Sequence, residues 1–280
     1  MGGKERQGAH RRGESIVEIA NNLYMMGKEE KAINILRNRL SREPQDPAGW
    51  LALSTMLDAE KRDSEAVEAY RAGREANPGN PVFVQMASMG IVSLLIEMGD
   101  FKSAKAEGLN LLRTFAPGQE NDPGAYALIG YCSLQMGQYE DALKWFDTRL
   151  AINYDFRTMH HKGEALIHLG RWKEAADAFT SVIETGQLDS AWMWRGLAKA
   201  FSGDLDGGLA DVQHCLEKNP LYHKAWCAKG IIMSKEGDYF SAAACFKHAL
   251  RVKPENHAAR LGLNAALHSR VLDFPRVVPD

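Results

Sequence analysis

A small residue recurs along the chain at Ala32, Ala66, Ala104, Ala142, Ala175, Gly208 and Ala242, at intervals of 34, 38, 38, 33, 33 and 34 residues. A period of that length means stacked supersecondary units, because each unit leaves an apolar face that only its neighbour can cover. A turn keeps step with it, as Gly27-Lys28, Gly99-Asp100, Gly137-Gln138, Gly170-Arg171, Gly203-Asp204 and Gly237-Asp238. Glycine after a helix enters the left-handed region without a Cβ clash, so each turn ends one helix and lets a second fold back. The second unit has Lys61-Arg62-Asp63 instead. Four residues after the small residue stand Tyr70, Phe146, Phe179 and Phe246, on the same helix face. Prolines at 44, 78, 220 and 254 close their units.

The first helix of each unit opens on a large residue, Trp50, Tyr126, Met159, Trp192 or Trp226, and in the last four units a glycine follows one turn later. That is a code for close helix packing. With 280 residues, a formal charge of −2 and 25% charged residues, the chain has the make-up of a folded protein without an overall field for nucleic acid. Cys132, Cys215, Cys227 and Cys245 show no zinc-ligand spacing and are expected as reduced, buried thiols. Residues 1–12 are expected to form a disordered, solvated arm, because the basic, glycine-rich start has no apolar segment behind it and is not a secretory signal. No apolar run is long enough to span a bilayer. These features lead us to expect a cytoplasmic location without membrane insertion.

Trp226, Gly230, Gly237, Tyr239, Ala242, Phe246, Ala249 and Pro254 together resemble the tetratricopeptide repeat signature, and its spacing recurs over residues 13 to 254. The resemblance implies an all-α fold, an α-solenoid of antiparallel helical hairpins wound into a right-handed superhelix. The first helix of each hairpin, its A helix, would line a concave groove. Seven repeats are expected near 13–46, 47–80, 81–118, 123–155, 156–188, 189–222 and 223–256, with a capping helix at 257–270 and an extended tail at 271–280. Four extra residues before Gly99 predict a longer A helix in the third repeat, apolar nearly all round. The breaker-rich stretch 115–124 predicts a kink or shift. The fifth repeat lacks its closing proline and Gly208 replaces alanine in the sixth, so both are expected to be looser copies.

No phosphate-binding, dinucleotide-binding, zinc-protease or nucleophile-elbow motif occurs, so no enzyme, cofactor or metal is expected. The positions that face the groove in this family carry over to Met86, Met89, Tyr131, Arg157, His160, His161, Glu164, Met193, Trp194, Phe201 and Lys224. The family's clamp for acidic chaperone C-termini is absent, since the required Lys and Asn positions hold Val17, Ala52, Met86 and Gly90. An apolar and aromatic lining suits instead a partner peptide or amphipathic helix. His160, Glu164 and His168 share a helix face, but the outer pair lies about 12 Å apart along the axis, too far for one ion. Lys162, Arg195 and Lys229 hold equivalent positions, either as a basic ladder for an acidic ligand or as stems packed on the repeat. The expected function is a non-catalytic protein-interaction scaffold. The alternative is a self-assembling subunit, a homo-oligomer in which the tail VLDFPRVVPD of one copy docks in the groove of another.

Overall fold

Proline at the first position of a helix costs no hydrogen bond, and an Asp or Asn before it accepts from the free amides of the first turn. Pro47 and Pro81 stand in such positions: Asp46 accepts from the Gly49 amide at 3.0 Å and Asn80 from the Phe83 amide at 3.1 Å. The computed structural model describes residues 15–114, 123–186 and 188–269, and among these every regular element is a helix. The N-terminal arm, most of the 115–124 stretch and the tail lie outside the described residues. The chain forms two compact units, residues 1–128 and 129–280.

The first unit holds α1 (Ile16–Met25), α2 (Glu29–Leu40), α3 (Pro47–Ala59), α4 (Asp63–Ala76), α5 (Pro81–Glu97) and α6 (Phe101–Thr114). Each helix packs on the next, and α3 also touches α1 and α5. Helix α5 runs for 17 residues where α3 has 13, as the extra turn predicts. It buries more residues than its neighbours, seven against five in α3, five in α4 and four in α6. Ile91, Val92, Leu94 and Leu95 are buried, while Val82, Met86 and Met98 stay exposed. At the turn without glycine, Lys61 adopts φ 58°, the conformation that Gly27 (70°) and Gly99 (77°) take elsewhere.

Helix α7 (Pro123–Gln135) spans the division between the units. The second unit continues with α8 (Tyr139–Ile152), α9 (Phe156–His168), α10 (Trp172–Glu184), α11 (Ser190–Ser202), α12 (Leu205–Lys218), α13 (His223–Glu236), α14 (Tyr239–Val252) and α15 (His257–Leu267). From α8 onward consecutive helices pack in order, and α9, α11, α13 and α15 touch in sequence on one side. Within each unit this is the packing of an α-solenoid. Phe146, Phe179 and Phe246 are fully buried, each ring against a glycine of the preceding helix. A Cβ on Gly163 would stand 2.6 Å from Phe179 Cζ, so this close approach requires glycine. Burying each such ring contributes about 1.5–3 kcal/mol.

The sixth hairpin corrects the expectation of a looser copy. Val212 takes the phenylalanine's place, and α11 and α12 close until a Cβ on Gly208 would meet Gly196 O at 2.6 Å. Beside this contact Arg195 holds buried Asp211 with two hydrogen bonds, at 2.7 and 2.8 Å, and Lys199 approaches it at 2.9 Å. All four cysteines are buried. Among the described residues no helix is long and apolar enough to cross a membrane.

Candidate functional site

Helices α9, α11 and α13, with the part of α7 from Ile129 on, are the A helices of the second unit. Their side chains meet across helix boundaries. The Tyr131 ring on α7 lies 5.0 Å from the His161 ring on α9, and Lys235 Nζ on α13 sits 4.8 Å over the Phe201 ring on α11. Phe201 also touches Trp172, at 4.9 Å between centroids. Tyr131, His161, Glu164, Phe201 and Lys224 are each half-buried, and Arg157 is exposed with its guanidinium 5.6 Å from the Phe156 ring. In the first unit Met86 is exposed on α5 and Met89 half-buried.

Three of the proposed groove residues are placed otherwise. Met193 is fully buried, Trp194 is 5% exposed and His160 is 7% exposed. For Met193 and Trp194 the reason is the packing of α11, which is in contact with α9, α10, α12 and α13, whereas His160 lies on α9 against Phe179 of α10. Trp194 lies parallel to Phe179 at 6.2 Å, and His160 meets the same ring edge-on at 5.4 Å. As they stand, these side chains hold the face from behind.

The basic ladder is also occupied. Lys162 pairs with Asp147 at 2.6 Å, Arg195 with Asp211, and Lys229 donates to Gln213 at 2.9 Å. Each cation is held by an adjacent second helix of a hairpin, so the reading as packed repeat residues prevails over a free ladder.

Glu164 is the electrostatic centre of α9. Its Oε2 accepts from His161 Nδ1 at 2.8 Å, and its Oε1 stands 3.7 Å from His160 Nδ1, beyond hydrogen-bond reach. Burial pushes the Glu164 carboxyl up, but the His161 hydrogen bond and the charges of His160, His161 and His168 outweigh it and bring the group below the usual carboxylate range. Burial pushes His160 down, aided by His161 and Lys224 and opposed by Glu164. His168, stacked on Tyr139 at 4.5 Å, is lowered by its burial too. His160 Nε2 is buried without a hydrogen-bond partner. The sequence placed His160, Glu164 and His168 on one helix face, but the hydrogen bond from His161 to Glu164 and the burial of His160 come from the packing around them.

A separate cavity of about 640 Å³ lies by α14 and α15, lined by Trp226, Phe240, Lys247, Arg251 and Leu267 among others. Phe240 there is 89% exposed. Nothing in the repeat pattern marked it, since position 240 is not one of the repeat's apolar positions.

Models of the tetratricopeptide repeat match residues 17–81, 123–155 and 223–256. Among solved structures, a tetratricopeptide repeat protein from Parabacteroides merdae is similar with a TM-score of 0.64 at 18% identity, over 90% of this chain and 97% of that one. The C-terminal part of a repeat-containing protein from Cytophaga hutchinsonii also reaches 0.64, at 15% identity over 88% and 99% of the two chains. The Cut9–Hcn1 hetero-tetramer of the APC/C is similar at 0.64 and 16% identity, over 92% of this chain and 50% of that chain. No curated protein matches the sequence. The repeat matches, the consecutive hairpin packing and these likenesses agree: the chain belongs to the tetratricopeptide repeat family.

Proposed function

We propose that this chain is a non-catalytic scaffold that holds a partner peptide or amphipathic helix against the A helices of its second unit. Tetratricopeptide repeats generally mediate protein–protein interaction. The observation that supports this reading is the run of half-buried aromatic and polar side chains shared by four successive A helices, with Tyr131 against His161 and Phe201 against Lys235. Surface of this kind gains by burial, since an aromatic ring half open to water still has apolar area to bury. Arg157 and Lys224 add positive charge at its edge and Glu164 adds a carboxylate, so a partner segment with mixed charge and apolar anchors fits it. A chain similar in fold is solved within the Cut9–Hcn1 hetero-tetramer. The four buried cysteines suit a reducing compartment, in keeping with a cytoplasmic location.

The test is the double substitution Y131A/F201A. Neither residue is part of the fully buried core, so the variant should keep its helical circular dichroism. Capture of partner proteins by the immobilised chain should fall at least tenfold, on the order of 1.4 kcal/mol per tenfold step. Undiminished capture by a folded variant would refute the assignment of this face. A second reading, self-assembly, is favoured by exposed Phe240 and Leu267 beside the 640 Å³ cavity, near the end of the described chain. Residues 271–280 of a second copy contain Phe274 and three valines, side chains of matching chemistry.

A further inference from the structure

We propose that His160, His161 and Glu164 form a binding site for a divalent first-row transition ion, with zinc as the reference ion. The three residues each offer a donor atom, and these atoms all lie within 4.8 Å of one another. Imidazole and carboxylate donors are those that zinc takes, at about 2.0–2.2 Å. Tetrahedral donors at such lengths stand about 3.4 Å apart. From 2.8 Å, the His161 and Glu164 donors must separate by about 0.6 Å, and from 3.7 Å those of His160 and Glu164 must close by about 0.3 Å. Rotations about the terminal side-chain bonds cover such distances, because those torsions are broad.

The placement follows from helix geometry. Successive residues turn by about 100°, so positions i, i+1 and i+4 fall within about 100° of arc and about 6 Å of rise. His160 and His161 therefore flank Glu164 from one turn below, whereas His168 extends the ladder too far along the axis. A second observation points to a ligand: His160 is more than nine-tenths buried, and its Nδ1, the nitrogen nearest Glu164, falls short of a hydrogen bond to it at 3.7 Å. An imidazole in that condition is costly to bury unless something else engages the ring. Binding would replace the His161–Glu164 hydrogen bond, with the His161 proton moving from Nδ1 to Nε2, so no net proton need leave. Lys224, which acts against positive charge at His160, opposes the ion as well.

The experiment uses the tag-free full chain, stripped with a chelator. Zinc is titrated by calorimetry, and cobalt is titrated while the visible spectrum is followed. One equivalent of each should bind, with cobalt showing the intense bands of a four-coordinate ion. His161→Gln and Glu164→Gln should each weaken binding by at least about tenfold. Both residues are partly open to solvent, so each variant should melt like the parent without metal, and either one suffices if the other fails to fold. Absence of stoichiometric binding by the parent chain would overturn the proposal. So would binding that survives in a folded variant, since the ion would then sit on histidines elsewhere.

Discussion

Lys61 occupies the left-handed conformation that glycine takes at the six other described turns inside hairpins, with φ 58° beside 70° at Gly170 and 96° at Gly237. A residue with a Cβ is about 1–2 kcal/mol less stable there. Lys61→Gly should therefore stabilise the protein by about 1 kcal/mol, since the exposed approach of Lys61 to Glu97 at 3.7 Å contributes little. Thermal or urea unfolding would check it, and a lower midpoint would mean that the lysine does something besides turn the chain. The missing glycine was visible in the sequence; that the turn survives without it was not. Equally hidden was the bond that Trp50 and Trp226 make, each indole donating to the carbonyl of the proline six residues earlier, Pro44 and Pro220, at 2.7 and 2.8 Å. Arg260 on α15 does the same to Pro254, at 2.7 Å, so the capping helix keeps the contact with a different donor. Sequence spacing located the large residue, but only coordinates show that its polar end reaches the chain's previous bend.

Helices α11 and α12 show how an element can reverse a rule taken from its repeats. Alanine is the usual residue at the position of Gly208, and in an isolated helix it would be favoured by about 1 kcal/mol. Here its Cβ would meet the Gly196 carbonyl at 2.6 Å and Ala200 Cβ at 2.9 Å. Gly208→Ala should consequently destabilise the protein by about 1–3 kcal/mol, because the obstacle is backbone that must shift as a whole. A denaturant titration that shows stabilisation instead would mean the two helices can separate without loss. The A-helix face has the same character. Tyr131, His161, Glu164 and Phe201 stay half-buried there, whereas Met193 and Trp194 are buried on α11, which packs against four other helices. Register specifies a direction from the helix axis, while exposure depends on how many helices lie in that direction.

For the whole molecule, the self-assembly reading predicts that the full chain sediments as a concentration-dependent oligomer and that a chain ending at Arg270 sediments as a monomer. A full chain that stays monomeric at high concentration would remove that reading and leave the A-helix face untouched. The described chain falls into two units that divide within α7, next to the stretch where the insertion disturbs the period. By itself, the sequence determined the all-helical class, the hairpin period, the turns and the long α5, because each depends on local chemistry repeated many times. Tertiary structure alone decided which groove positions stay open, why Gly208 is tight, and how Glu164 comes to sit between two imidazoles with a third near. Those properties are set by distance and burial among side chains from several helices, which a one-dimensional period does not encode.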